Sequence, residues 1–358
     1  TYREIPLVTD FAGVMQRQLK PHEVFTRLFF GIALEQLDAV LDYCERYALD
    51  VIEANARVFS ASVASMKTGI PLVTHCCSGN SFSQIPDDLY GFCVKGTENP
   101  RQLRIMRQLS LEFFKLTDDW FDEHLARPYG LGRVENAIGL CSPDLAAAQT
   151  IAALSKERIA SLENVHLTGP IVIESPSELD FSQYRPYCYV SLGTSPWNVA
   201  EIAERYRLLA RYIPRRLNIV IGLGGLIGAK ALGISDQRVT VFERAPQIEA
   251  IRHCEFIVCH GGCQTVHEAL YYGKPILGIP HHAEISEMVN SVELTGAGVR
   301  ISPAQVNESS IVEGVERVLS ASTLANAATL ADQLRSTDGV SGMVNLFGRA
   351  APSAKYVS

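Results

Sequence analysis

The alternation of short apolar runs with helical stretches constrains this chain most. From Tyr187 onward it reads as strand (Tyr187–Leu192), helix (Asn198–Tyr212), then strands over Leu217–Ile221 and Arg238–Phe242. A short helix near Gln247–Arg252, a strand at Phe256–Cys259, a helix at Gln264–Tyr272 and a strand at Pro275–Ile279 follow, then helices over 284–295, 307–320 and 322–335. Short strands separated by helices pair in parallel, which makes an α/β layer fold. The first half repeats the pattern. Tyr2–Val8 reads as a strand, Pro21–Ala48 as a helix with an apolar stripe, Asp50–Ala54 as a strand, Val58–Thr68 as a helix stopped at Gly69, and Ile70–Thr74 as a strand. Residues 99–127 are helical, with Leu103, Met106, Leu109, Phe113, Leu116 and Trp120 as a core stripe.

Between the halves, Pro170–Pro186 mixes proline and serine without periodicity and reads as a linker. A length of 358 residues, 47% of them apolar, fits two cores better than one. The expected organisation is residues 1–170, a linker at 171–186, a second domain at 187–338, and a Gly/Ser-rich, frayed tail at 339–358.

Composition excludes several classes. The net charge of −7 argues against wrapping nucleic acid by bulk charge. The longest nearly uncharged apolar stretch, Leu217–Ala229, is too short and too rich in glycine to span a membrane. No basic–apolar–small leader opens the sequence, and the first residue is Thr1. The nine cysteines include no CxxC pair and are odd in number, which suits buried thiols in a reducing cytoplasm. Cys254, Cys259 and Cys263 match no standard metal or iron–sulfur spacing.

Two glycine segments carry chemistry. Asn218–Gly228, followed by Val239–Arg244, resembles a flavin or nicotinamide fingerprint, with an acid after the second strand. Its third glycine falls one residue late, at Gly228, and the intervening helix is too short for a βαβ crossover. A plain glycine loop is the simpler reading, with an FAD- or NAD-dependent oxidoreductase as the alternative it leaves open. The second segment begins where the Phe256–Cys259 strand ends. His260-Gly261-Gly262 then turns into a helix. Helix-start amides and the helix dipole attract anions, and glycines let a diphosphate approach the backbone. His260 can donate to a phosphate oxygen, and Thr265 offers a hydroxyl. Glu268 follows Thr265 by three residues, so it lies on the same face one turn later, where a carboxylate can accept both ribose hydroxyls. Phosphate and ribose one turn apart on one helix describe a nucleoside-diphosphate site.

With Tyr189–Thr194, Arg244-Ala-Pro-Gln247, the HisGlyGly-x-x-Thr-x-x-Glu run and Gly296-Ala-Gly298, residues 187–300 resemble the bacterial members of the UDP-glycosyltransferase superfamily. The resemblance extends more loosely over Asp50–Val73 and Gly169-Pro170. It implies a GT-B fold, two Rossmann-like α/β domains facing a cleft, with the acceptor bound by the amino-terminal domain and the donor by the carboxyl-terminal one. It implies transfer of a sugar from a UDP- or dTDP-sugar to a hydroxyl or amine of a small or lipophilic acceptor such as a natural product. The transfer would be inverting and independent of metal, and the nucleotide sugar would be a co-substrate with no further cofactor. The resemblance assigns Ala245 and Gln247 to base and ribose, and His260, Gly261, Gly262 and Thr265 to the diphosphate, with Gln264 close by. Glu268 would hold the ribose, Thr194 would face the phosphates, and Glu284 would bind the sugar hydroxyls. Expected partners are the acceptor and the nucleotide sugar, with no nucleic acid and no membrane span, and a homodimer stays open.

There are departures from the family. Ile285 and Met288 stand where an amide pair would read the sugar. The opening strand, the loop bearing the catalytic His and the next helix are not found, which makes the amino-terminal domain incomplete by roughly 50–90 residues, the span of about two βα units. The resemblance therefore places the base upstream of Thr1, unless another chain supplies it or the mechanism differs. The acid partner of that base falls near Asn55, which cannot ionise. Within the chain, His75, at a carboxyl strand end, and Glu53 are the first candidates. His267 reads as packing. His281 and His282 read as a loop bordering the acceptor rather than a metal site. A non-catalytic protein that only binds nucleotide sugar is the remaining alternative.

Overall fold

The structure, a computed structural model, describes residues 20–77, 100–141, 145–155, 162–174, 177–194, 199–225, 227–281 and 283–350. The expected Tyr2–Val8 strand and His282 lie outside them, as does the Glu284 side chain. The chain divides into two compact units. Among the described residues no helix is long and apolar enough to cross a membrane.

The amino-terminal unit comprises residues up to Thr168, apart from Ala153–Ser155, together with the chain from Gly339 onward. Its parallel sheet runs β1 (Ile52–Asn55), β2 (Leu72–Cys76), β3 (Leu145–Ala148) and β4 (Val165–Leu167), in that spatial order. The helix Phe59–Thr68 returns the chain from β1 to β2 and ends at Gly69, whose φ of +75° suits a glycine C-cap. The core is aromatic. Phe30 meets Phe59 edge-on at 4.8 Å, and Phe25, Phe113 and Phe121 join them. On the Pro100–Phe121 helix the buried face carries Phe113, Phe114 and Phe121, while Leu109 of the expected stripe is exposed.

The tail is a correction. Gly339–Ala350 is a helix packed against β2 and β3, with Met343 and Leu346 buried. Gly342 fits against the Thr168 backbone, so its lack of a side chain permits close packing where composition alone reads as fraying.

The carboxyl-terminal unit comprises Ala153–Ser155 and Gly169–Asp338, so the segment expected as a linker groups with it. Its strands are β5 (Tyr187–Ser191), β6 (Asn218–Gly222), β7 (Val239–Phe242), β8 (Phe256–Cys259), β9 (Ile276–Gly278) and β10 (Gly298–Arg300). They form one parallel sheet in the order β10-β9-β8-β5-β6-β7. Every residue of β5 and β8 is buried, as expected for central strands covered on both faces. The chain winds outward from β5 through β6 to β7, then returns to the other side of β5 as β8. The crevice beyond the carboxyl ends of β5 and β8 is therefore a topological switch point, where open α/β sheets bind ligands.

Candidate functional site

Two loops meet at that switch point. After β5 the chain turns at Gly193, with φ +94°, into Thr194. After β8 it turns at His260-Gly261-Gly262, with φ +97° at Gly261. Neither turn has room for side chains. A Cβ on Gly193 would lie 2.7 Å from the His260 ring, and one on Gly261 would lie 2.9 Å from the Ile285 carbonyl oxygen. Tyr206 ties the first loop to its neighbour: its hydroxyl accepts from the Leu192 N–H at 2.9 Å and donates to the Gly222 carbonyl at 3.2 Å. Sequence reasoning missed this role, because Tyr206 sits in a helical stripe that looks like ordinary core.

Gly262 is the N-cap of the helix Cys263–Tyr271, and no side chain caps it. A glycine at this position supplies no capping side chain, and helix N-termini of this kind attract anions. His260 stacks on His281, ring centres 5.1 Å apart and planes 17° from parallel.

One turn along the helix, Glu268 is only 8% exposed. Gln247 Nε2 donates to Glu268 Oε2 at 2.6 Å and to Thr265 Oγ1 at 3.3 Å. Gln264 Nε2 donates to Glu268 Oε1 at 3.1 Å and to the Ile171 carbonyl at 3.1 Å. Gln247 and Gln264, both picked out from sequence, thus converge on the Glu268 carboxylate, and Gln247 links it to Thr265. Burial pushes its pKa up, and the two amides pull it part of the way back. Ala245 sits two residues before Gln247 in the turn that leads from β7 to the helix Gln247–His253.

Thr194 lies against the other glycine segment, since a Cβ on Gly224 would come within 2.7 Å of its methyl. That segment turns through Gly224 and Gly225, φ +64° and +81°, into a helix of only four residues, Ala229–Leu232. Its glycines serve the turn and this packing, and the helix is too short to offer a developed dipole to a pyrophosphate. Ile285 and Met288 are buried, so their side chains fill core space. Glu284 opens the helix Ala283–Leu294. Among the described residues no three His, Cys, Asp or Glu side chains gather to hold a metal ion. Burial pushes the Cys254 and Cys259 thiols up to about 12.

In the amino-terminal unit, β1 and β2 pair with Asn55 opposite His75. Alternation along the strands puts Glu53 on the same face as His75, and Glu53 Oε1 lies 2.5 Å from His75 Nδ1. Asn55 Oδ1 accepts from the Arg57 N–H at 3.1 Å, a turn-forming role that does not use ionisation.

Known proteins share this fold. Residues 226–341 match the family model described as the C-terminal domain of erythromycin biosynthesis protein CIII-like proteins. The 4'-demethylrebeccamycin synthase of Lentzea aerocolonigenes is 25% identical over 367 residues, covering 94% of this chain and 85% of the relative. A crystal structure of the glycotransferase of kitacinnamycin superposes with a TM-score of 0.72 at 18% identity, covering 94% of this chain and 84% of that one. The chain has the GT-B fold and is a glycosyltransferase. A spinosyn rhamnosyltransferase solved with thymidine diphosphate aligns with a TM-score of 0.65 at 18% identity, over 95% of this glycosyltransferase and 84% of that chain.

On the helix Cys263–Tyr271, His267 is fully buried, and burial lowers its pKa to about 4 from an ordinary 6.5. A depressed histidine makes the folded state bind protons less readily than the unfolded one. Stability is therefore complete above about 6.5 and declines as pH falls towards about 4. The melting temperature should drop over that window, and His267→Gln should flatten the drop. An unchanged slope in the variant would assign the acid sensitivity to other groups.

Proposed function

We propose that this glycosyltransferase moves a sugar from a dTDP- or UDP-sugar to a hydroxyl or amine of a small natural-product acceptor, with inversion and without a metal. The observation that carries the reading is the pairing of an uncapped glycine N-terminus with a buried carboxylate one turn along the same helix. The helix amides and His260 would take the diphosphate, and Glu268, held by Gln247 and Gln264, would take the ribose hydroxyls. That the spinosyn rhamnosyltransferase was solved with thymidine diphosphate supports a nucleoside diphosphate as the ligand. Glu284 would contact the sugar. With Ile285 and Met288 buried, sugar choice would rest on other polar groups than the family's amide pair.

In this reading the acceptor oxygen attacks the anomeric carbon from the face opposite the leaving group. The C–O bond to the diphosphate breaks, and the nucleoside diphosphate leaves with that electron pair. Its developing charge falls on donors already aimed at it, so little reorganisation accompanies the step. His75 takes the acceptor proton, and Glu53 steadies the resulting imidazolium, the division of labour of a base and its orienting acid.

A thermal-shift series tests the donor assignment. At 100 times its dissociation constant a ligand adds about 2.7 kcal/mol of stability. The melting temperature should rise with dTDP or UDP and stay unchanged with NAD or FAD. A rise with FAD alone would replace sugar transfer by redox chemistry at the 222–243 segment.

A further inference from the structure

The edge of the carboxyl-terminal sheet holds a cavity that the sugar-transfer reading does not use. It measures about 90 Å³, several times the space one water needs, and lies between the end of β10 and the helix Glu308–Val318. Arg300, Ser302, Gln305, Ser310, Glu313 and Arg317 contribute its polar wall. None of the donor residues lines it.

Its charges are unbalanced. Arg300 and Arg317 supply two guanidiniums, and Glu313 supplies one carboxylate. Among the described residues neither arginine is within ion-pair distance of an acid, although Glu313 precedes Arg317 by one helical turn. Arg300 is half-buried, and its Nε is buried without a hydrogen-bond partner. A guanidinium N–H removed from water with no acceptor is costly, and an anion in the cavity would remove that cost. Ser310 is fixed as part of the wall, its hydroxyl 2.7 Å from the Gln305 carbonyl and 3.0 Å from that of Asn307. The loop shape is therefore set before any ligand enters.

We propose that Arg300 and Arg317 form a binding site for a phosphate-like oxyanion, separate from the nucleotide-sugar site. Two guanidiniums present planar forks of donors that match a tetrahedral oxyanion, and Ser302 and Gln305 add neutral polar groups. A membrane or nucleic-acid surface does not fit a recess of this size. Arg300 pairs with Gly278 of β9, and β9 leads directly to Pro280 and His281, so the cavity is one strand away from the loop that carries the His260–His281 stack.

The test is calorimetric titration of inorganic phosphate at constant ionic strength into the full chain saturated with UDP, which occupies the donor site's own phosphate position. One site is expected. Loss of a charge-assisted hydrogen bond should weaken it about tenfold or more in Arg317→Met and in Arg300→Met, with UDP affinity unchanged. Arg317 is exposed, so its variant should fold normally and decides the matter if Arg300→Met proves unstable. Absence of phosphate binding to the parent protein, or equal binding by Arg317→Met, would overturn the proposal.

Discussion

His75→Ala lowers kcat for sugar transfer by about 10²–10⁴-fold, the usual contribution of a positioned general base, while dTDP and UDP bind as before. An alcohol is a poor nucleophile at neutral pH, so proton removal must accompany attack. Among the described residues of the amino-terminal unit, His75 has a carboxylate at 2.5 Å and stays partly exposed on the sheet face it shares with Glu53. Glu53→Gln should reduce kcat less, because it removes the orienting charge and keeps the imidazole. In His75→Ala kcat should fall with KM for the nucleotide sugar unchanged. A structural role alone would lower the melting temperature and move both constants. Full activity in His75→Ala would assign the proton to a different group.

Glu268→Ala weakens nucleotide binding by an amount set by lost charge-assisted hydrogen bonds, about 1.5–3 kcal/mol. The loss should appear with the free nucleoside as well as with UDP, since the contact is to ribose. His260→Ala should differ, impairing diphosphates and sparing the nucleoside. The pH dependence follows from burial. Because the Glu268 carboxyl titrates above the ordinary range, acidification protonates it earlier than a surface glutamate and removes its acceptors. Affinity should therefore fall on the acid side, beginning above the usual carboxylate range, and Glu268→Gln should lose that dependence. Equal UDP affinities for the parent protein, Glu268→Ala and His260→Ala would remove the site from this helix.

Much of the candidate site could be read from sequence because its parts are local. His260, Thr265 and Glu268 lie on one turn and the helix that follows it, so their spacing already states their geometry. The pairing of Gln247 with Glu268 joins residues from consecutive helices and was legible only as two separate roles. The switch point itself depends on the order β8-β5-β6, which no local pattern encodes. Proximity of Glu53 and His75 likewise depends on the parallel register of β1 and β2. The strands that escaped notice are the short or weakly marked ones. Leu145–Ala148 is mostly alanine, and Val165–Leu167 and Gly298–Arg300 have three residues each. Neighbouring strands and burial stabilise such segments more than their own propensity does. The Gly339–Ala350 helix was hidden in the same way, by glycines that fit a tight contact.

The glycines at 193, 261 and 262 also limit how this enzyme can be redesigned. Where two loops touch through bare backbone, a new side chain displaces His260 or the helix behind it before it can reach a ligand. Libraries that randomise those positions should return mostly misfolded or inactive clones. Altered donor preference would have to be sought at positions that already carry side chains, with Ala245 and Glu284 the places to begin.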